Sequence, residues 1–413
     1  MSVKTYTAPN RAKCWEDINF KTAEAHVKKL QKRIATAYLN NDKDKVTVLQ
    51  HTLIHSFYAK ALAVKCVSSN HGKNTPGIDG IIWATNKDKF SAIFDLHRRG
   101  YRPKPYKRMC VTKNNGRSRV IDIPTMKDRA MQTLYKFVLD PIAETMADRN
   151  SFAYRKRQSC RDAILRCGDI LSTYSHLEWI LKTDIKSCFS SINHEWILEH
   201  IPLDNTVLRK FLECGYVNNA SVVCPIERGI PLGGCLSNTI CNMVLDGMEN
   251  MLSVRFHDTV HLVRYADDFI VVGYSHSFLV QDVVPEIEKF LSKRGLILSQ
   301  EKTKITHAKN GVAFLGWNLY KERNKIICVP LRKSINSLLE RIATVLNKRL
   351  CFSYEELGKS LKQIIRGWLN FYKLSTHPIL AEIEAEAVLL TYALSKDDKL
   401  AGFVGKEFSR YIK

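Results

Sequence analysis

Apolar side chains recur at helical spacing through the N-terminal part of the chain. They lie three or four positions apart, which places them on one face of an α-helix. The residues in this pattern are Val27, Leu30, Ile34 and Tyr38, then, after a polar break at residues 40–45, Val46, Leu49, Leu53, Phe57 and Leu62. Glycine and proline in segment 72–80 favour turns and end the pattern. The sequence therefore predicts helices from about residue 21 to residue 66.

The pattern changes to strands after residue 100. Met109–Thr112 and Arg119–Ile123 flank the pair Asn115-Gly116, and an Asn-Gly pair between two such runs is typical of a β-hairpin. Residues 128–146 return to a helical pattern. Farther along, short apolar runs alternate with helical segments, and we predict strands at Trp179–Asp184, Val260–Tyr265 and Phe269–Val272.

Helical spacing returns after Leu331, and this part of the chain is basic. Between Leu331 and Ser375, nine Lys and Arg residues stand against three Asp and Glu residues. The order along the chain is helical, then mixed, then helical and basic. This order indicates the α+β class rather than a regular alternation of strands and helices.

The charge of the chain narrows the class of partner. With 413 residues, 63 Lys+Arg and 41 Asp+Glu, the formal net charge is +22, and such an excess attracts polyanions. Nucleic acid is therefore the expected partner. No apolar run approaches the roughly 18 residues that a membrane-spanning helix needs, and the N-terminus has no apolar signal region. We expect an intracellular, cytoplasmic protein without a membrane partner.

The twelve cysteines do not suggest a metal site. None of them forms the C-x-x-C pair that brings two zinc ligands together. We expect reduced thiols that pack as small apolar side chains.

Three acidic residues carry the strongest chemical signal. Asp267 and Asp268 stand between two apolar runs, and Asp184 ends another apolar strand 83 positions earlier. Carboxylates in such surroundings need a cation or hydrogen-bond donors. Oxygen ligands suit magnesium, and two magnesium ions can assist phosphoryl transfer. We expect the three acids to meet in one site that binds two Mg²⁺ ions.

The motif Tyr265-Ala-Asp-Asp268 resembles the signature of reverse transcriptases, and most of the chain resembles those encoded by bacterial group II introns. Further blocks of similarity follow in the order of that family. They are Lys29–Ile34, Gly72–Gly80, Arg102–Arg108, Ile123–Gln132, Ser151–Arg155, Asp184–Phe189, Gly229–Gly234, Leu298–Thr303, Phe314–Gly316 and Ile365–Tyr372.

The resemblance implies a fold and its divisions. The expected fold is a right-hand polymerase with a helical N-terminal extension at residues 1–90. Fingers and palm, with an antiparallel palm sheet, are expected at residues 91–320. A basic helical thumb similar to the maturase X domain is expected at residues 321–413.

The resemblance also implies roles for individual residues. The catalytic and metal-binding residues are Asp184, Asp267 and Asp268. The residues expected at the deoxynucleoside triphosphate are Lys113, Arg119, Phe189, Leu232, Gly233 and Lys302, with Phe189 below the sugar. The turn that grips the primer consists of Phe314, Leu315 and Gly316. The expected RNA contacts are Arg155, Lys362 and Arg366. The template–product duplex and a structured non-coding or intron RNA are the expected nucleic-acid partners.

Some positions depart from the family pattern. Leu232 stands where these enzymes usually have Gln, so a polar contact to template or nucleotide is lost. We expect altered fidelity or template use rather than inactivity, since all three acids are present. The chain also shows no motif of the zinc-containing DNA endonuclease that such proteins often carry.

Three biological readings remain open at this point. Leu232 and the lack of an endonuclease motif favour a bacterial defence-associated enzyme that works with a small non-coding RNA. The alternative is a group II intron maturase that aids splicing and copies its intron. A reading from another class is a non-catalytic RNA-binding protein, against which the three acids argue.

Overall fold

The computed structural model describes residues 12–112, 116, 118–218, 222–323, 325–348, 351–375 and 377–410. Four helices come first in the described chain; the first three pack with a long fifth helix, and the fourth packs with the third. Asn19 caps the first of them, because its side chain accepts a hydrogen bond from the Thr22 backbone N–H at 3.0 Å. The N-terminal helices are α1 (Phe20–Leu39), α2 (Lys43–His55), α3 (Phe57–Ser69) and α4 (Asn86–Asp95). The helices predicted for this region are confirmed.

A small sheet follows the helices. Strands β1 (Tyr106–Thr112) and β2 (Ser118–Ile123) form the antiparallel hairpin that the sequence predicts. Two short strands, β4 (Tyr216–Val217) and β5 (Val223–Cys224), extend this sheet in the order β2-β1-β4-β5, with β1 and β4 parallel. The helices between this hairpin and the C-terminal region are α5 (Met126–Met146), α6 (Cys160–Thr173), α7 (Cys188–Ser191), α8 (His194–His200), α9 (Asn205–Glu213), α10 (Ser237–Leu245), α11 (Met248–Phe256), α12 (His276–Phe278) and α13 (Val284–Ser292).

The central sheet has four antiparallel strands in the order β6-β7-β3-β8. Its strands are β3 (Trp179–Asp184), β6 (Val260–Tyr265), β7 (Asp268–Gly273) and β8 (Lys304–His307). Successive side chains of a strand point to opposite faces, and both faces of this sheet are covered. Leu181 and Val271 belong to one hydrophobic core, which we call the first core, whereas Ile180 and Ile270 belong to another, the second core. Burial on both faces explains why these strands read as continuous apolar runs.

The C-terminal region joins a three-stranded antiparallel sheet to a helical bundle. The strands are β9 (Val312–Phe314), β10 (Trp317–Glu322) and β11 (Lys325–Pro330), and the helices are α14 (Arg332–Asn347), α15 (Tyr354–Phe371), α16 (His377–Ser395) and α17 (Asp398–Ser409). Ser353 and Glu356 form a capping box at the start of α15. The buried side chains of this region pack with α6 and one face of the central sheet in the second core.

The observed elements confirm the α+β class. The domain limits that we expect at residues 90 and 320 fall inside α4 and β10, so neither coincides with a break in secondary structure. The C-terminal helices begin only at Arg332. In the described part of the chain, no helix is long and apolar enough to cross a membrane. All twelve cysteines are free thiols.

Candidate active site

The three predicted acids lie at one edge of the central sheet. Asp184 ends β3, and Asp268 begins the neighbouring strand β7, where the two residues are paired directly opposite each other. Side chains opposite each other in an antiparallel pair have Cβ atoms roughly 5 Å apart. Asp267 lies in the tight turn between β6 and β7, after Ala266, whose φ of 58° is left-handed. Carboxylates from two separate segments of the chain thus share one site.

Burial makes these carboxylates difficult to ionise. It raises the pKa of Asp267, and the nearby charge of Asp184 raises it further. Burial also raises the pKa of Asp268 to about 6, although the neighbouring Lys182 acts in the opposite direction. Oδ1 of Asp268 is buried, and its ion pair with Lys182 is longer than a strong hydrogen bond. A buried carboxylate oxygen that is only weakly paired is costly, and a bound cation would remove that cost.

Two lysines contact these acids. The Lys302 ammonium contacts Oδ2 of Asp184, and the Lys182 ammonium lies 3.5 Å from Oδ1 of Asp268. Hydrogen bonding to Asp184 raises the pKa of Lys302, so this lysine is cationic at neutral pH. Among the residues that the structure describes, no group of three or more His, Cys, Asp or Glu side chains is arranged to hold a metal ion. The carboxylates suit magnesium by chemistry and number, and such a cation would take over contacts that the lysines now make.

The loop after the hairpin sheet joins three elements around the expected nucleotide site. The Leu232 carbonyl accepts a hydrogen bond of 2.7 Å from the Asp122 backbone N–H on β2. Gly233 has a φ of 124°, and a Cβ atom there would lie 2.5 Å from the Asp122 carbonyl oxygen. Only glycine therefore permits this approach. The Phe189 carbonyl in turn accepts a hydrogen bond of 2.6 Å from the Ile230 backbone N–H. The side chain of Leu232 packs against the first core.

The two expected triphosphate cations differ in what the structure describes. Arg119 is exposed on β2. It is close enough for its charge to lower the pKa of Asp267 slightly against the larger effect of burial. Lys113 lies outside the described residues. Arg119 therefore provides positive charge near the acids at the edge of the site.

The turn expected to grip the primer is fixed to the C-terminal helices. Phe314 is buried at the end of β9, and Leu315 and Gly316 turn the chain into β10 with φ values of 50° and 88°. The Gly316 carbonyl accepts hydrogen bonds from the Leu331 backbone N–H at 3.0 Å and the Tyr372 hydroxyl at 3.2 Å. The turn and the helical region therefore form one unit.

Two of the residues expected to bind RNA are engaged inside the protein. Arg155 donates to the Glu144 carboxylate and to two backbone carbonyls, and only 13% of its side chain is exposed. Arg366 donates to the carboxylate of Glu407 at 2.8 Å. Both guanidinium groups hold parts of the fold together, which argues against Arg155 above all as a phosphate contact. Lys362 is half-buried on α15.

Two cations near the acids, Lys182 and Arg264, are not among the residues that we expected from the sequence. Lys182 precedes Asp184 by two residues, and the period of two in a strand places both side chains on the same face. That spacing was a usable signal. Arg264 is fully buried in β6, the strand that leads to the turn that holds Asp267. A charged residue inside an apolar strand was the corresponding signal.

Metal binding is expected to weaken as the pH falls from about 8 to about 6, because protons compete for carboxylates whose pKa values are raised. Above the raised pKa of about 6, Asp268 is ionised and its buried charge destabilises the metal-free fold. Magnesium binds this ionised form and so restores the lost stability only in that pH range. The increase in melting temperature caused by MgCl₂ should therefore be larger at the higher pH. The variant Asp267→Asn with Asp268→Asn should lose this dependence. An equal increase at both pH values in the unmodified protein would contradict the expectation.

The chain is similar to a maturase-like protein and to a protein encoded by a group II intron. It is 25% identical over 367 residues to Maturase-like protein 1 of Euglena longa, a match that covers 84% of this chain and 75% of that protein. It is 25% identical over 336 residues to Group II intron-encoded protein LtrA of Lactococcus lactis subsp. cremoris, which covers 64% of this chain and 55% of that protein. Apo telomerase from Candida tropicalis matches with a TM-score of 0.47 and 16% identity, over 76% of this chain and 63% of that chain.

Two family models match the chain. One is described as the N-terminal domain of reverse transcriptase and matches residues 15–96. The other is described as reverse transcriptase (RNA-dependent DNA polymerase) and matches residues 111–319, which include the three acids. The hairpin sheet and the central sheet lie within residues 91–320, where we expect fingers and palm, and helices α14 to α17 lie within residues 321–413, where we expect the thumb. Since the second match spans half of the sequence, the chain belongs to the reverse transcriptase family of RNA-dependent DNA polymerases.

Proposed function

We propose that this chain synthesises DNA on an RNA template, with Asp184, Asp267 and Asp268 as the ligands of two magnesium ions. The observation that carries the proposal is the pairing of Asp184 opposite Asp268, next to the turn that holds Asp267. Three carboxylates at one edge of the sheet repel a polyanion, so a protein that only binds RNA gains nothing from them. A polymerase needs them to hold its metal ions, because the positive charge of two magnesium ions exceeds the negative charge of the three carboxylates.

The residues around the acids fit the steps of nucleotidyl transfer. When bound, magnesium activates the attacking hydroxyl and neutralises charge on the leaving pyrophosphate. In this proposal the cationic Lys302 gives a proton to that leaving group, while Arg119, with Lys113, offsets the charge of the incoming triphosphate. Phe189 restricts the sugar to the deoxy form. Gly233 and Leu232 lie beside the template and the new base pair.

The nucleic-acid partners follow from charge. A net charge of +22 favours the phosphate backbone of an RNA template and of the template–product duplex, whose A-form shape is recognised without reading sequence. A structured RNA is the proposed stable partner, and the bacterial cytoplasm the proposed location. Lys362 contributes to this surface on the thumb, whereas Arg155 and Arg366 act through the internal ion pairs described above.

Two biological roles are consistent with this activity, and they differ in the RNA. The similarity to a maturase-like protein and to a group II intron-encoded protein supports an intron maturase that also copies its intron. The apolar Leu232 supports a defence enzyme with a small non-coding RNA partner. Sequencing the RNA and DNA that co-purify with the protein separates the two: intron RNA supports the first, and a short structured RNA with its complementary DNA supports the second.

A primer-extension assay tests the polymerase proposal. The purified protein, given an RNA template, a DNA primer, deoxynucleoside triphosphates and MgCl₂, should extend the primer, and a chelator should stop it. The co-purified RNA should serve as a second template, since a specialised enzyme can reject a generic one. No incorporation on either template would support the non-catalytic RNA-binding alternative.

A further inference from the structure

A fully buried arginine lies next to the turn between β6 and β7 that holds Asp267, which we call the catalytic turn. Arg264 is the penultimate residue of β6 and has no exposed surface. Its guanidinium forms an ion pair with Asp246, the residue that follows α10, and only 3% of the Asp246 side chain is exposed. One nitrogen, Nη1, lies 3.4 Å from Oδ1 of Asn242 on the same helix. The arginine therefore connects β6 to α10, the helix that follows the loop of Leu232 and Gly233.

The same nitrogen also reaches the catalytic turn. Nη1 of Arg264 donates to the carbonyl oxygen of Ala266 at 3.4 Å. Ala266 adopts a left-handed φ of 58°, which is unfavourable for a residue with a Cβ atom. Its carbonyl belongs to the peptide group that joins it to Asp267. A donor held at this carbonyl therefore fixes the orientation of the peptide that carries the metal-binding carboxylate.

A third segment is tied to the same point. The Arg264 backbone N–H donates to the Asn150 carbonyl at 2.8 Å, and the Phe152 N–H donates to the Arg264 carbonyl at 3.0 Å. The side chain of Asn242 donates to the Ala153 carbonyl at 2.7 Å. Arg264 therefore lies where the catalytic turn, α10 and segment 150–153 meet.

Stability alone does not explain this ion pair. Burial raises the pKa of Asp246 to about 6 even with Arg264 beside it, so desolvation outweighs the attraction. Nε of Arg264 and Oδ2 of Asp246 are both buried without a hydrogen-bond partner among the described residues. Replacing a buried ion pair by apolar side chains is often neutral or stabilising. The ion pair is therefore better explained by the geometry that it imposes than by the stability that it adds.

We propose that Arg264 and Asp246 are positioning residues, which hold the Ala266 carbonyl so that Asp267 stays aligned with Asp184. This inference rests on the polymerase function proposed above. Neither residue touches the substrate; both act through the orientation of the turn. Loss of the pair should leave the fold intact but let the turn adopt other conformations, so that the carboxylates bind metal less tightly and the chemical step slows.

Two variants test this proposal. The double variant Arg264→Met with Asp246→Leu replaces the ion pair by apolar side chains and should melt at the wild-type temperature or above. The conservative variant Arg264→Lys keeps the charge and loses the planar fork, which supplies the second donor. Both should lower kcat by about 100-fold, as expected for a misplaced reacting group, with the KM for deoxynucleotides nearly unchanged. Both should bind Mn²⁺ about 10-fold more weakly, measured by electron paramagnetic resonance.

The matched control breaks a different ion pair, in which only the lysine is buried and the acid lies at the opposite end of β3 from Asp184. Lys321, which is 7% exposed, donates to the Ser175 carbonyl and pairs with Glu178 at 3.4 Å. Lys321→Met should lower the melting temperature without changing kcat or Mn²⁺ affinity. Wild-type kcat and Mn²⁺ affinity in the folded double variant would overturn the proposal, as would equal losses in the control. If the wild type fails to extend primers while the variants still bind Mn²⁺ more weakly, the polymerase function fails and the positioning role stands.

Discussion

Replacing Asp267 and Asp268 together by alanine is expected to abolish DNA synthesis while RNA binding persists. The charge stabilisation that magnesium brings to phosphoryl transfer amounts to several kcal/mol, so the rate should fall on the order of 10³-fold or more. The metal-free variant should melt no lower than the wild type, because burial opposes the ionised form of both residues. Its affinity for RNA should be equal or higher, since two negative charges are lost near a polyanion.

The control for this prediction separates chemistry from net charge. Asp44, on α2, and Asp282, two residues before α13, are exposed acids, and replacing both by alanine changes the net charge by the same amount. This control should extend primers at the wild-type rate. Synthesis is measured by primer extension, RNA affinity by a filter-binding titration and stability by thermal melting. Loss of RNA binding or of folding in the Asp267→Ala, Asp268→Ala variant would show that the acids are structural, and the polymerase proposal would fall.

Replacing Phe189 by valine is expected to let ribonucleotides into the site. Phe189 lies five residues beyond Asp184, in the short helix α7, and its side chain is 9% exposed. A smaller side chain should remove the steric conflict with a 2′-hydroxyl. The preference for deoxynucleotides, measured as the ratio of kcat/KM values, should fall on the order of 100-fold, which is what one well-shaped contact contributes to discrimination. Valine is chosen over alanine because it leaves a smaller cavity.

A second buried phenylalanine provides the matched control for the sugar gate. Phe290 on α13 is also 9% exposed and belongs to the same core. Phe290→Val should lower the melting temperature by a similar amount and leave the deoxynucleotide preference unchanged. If Phe189→Val keeps the wild-type preference, or if both variants lose it equally, the gate must be assigned to another residue.

The sequence was sufficient for the parts of the structure that depend on local pattern. Apolar strands and the turn between them were readable around Asp267, and the helical spacing from Val27 to Leu62 predicted the N-terminal helices. The order of helical, mixed and helical regions predicted the α+β class. These features are readable because each depends on residues close together in the chain.

Contacts between distant segments could not be predicted from the pattern. The Lys182–Asp268 pair depends on the register of β3 against β7. The Arg264–Asp246 ion pair depends on how α10 packs beside β6. Arg155 and Arg366 looked like surface cations, but Glu144 and Glu407, from other elements, bind them. We expected the palm to end at residue 320, but this residue lies inside β10, and β10 pairs with β11 in the C-terminal three-stranded sheet.

The central sheet separates two cores, and this has a consequence for how the protein tolerates change in length. Successive side chains of β3 point to opposite faces of the sheet, so Ile180 packs in the second core and its neighbour Leu181 in the first. Lys182 and Asp184 point to the same face as Ile180. Insertion or deletion of one residue within this strand would invert every side chain after that point. The apolar packing of both halves and the placement of the first acid would be lost together, so this strand permits substitution but no change in length.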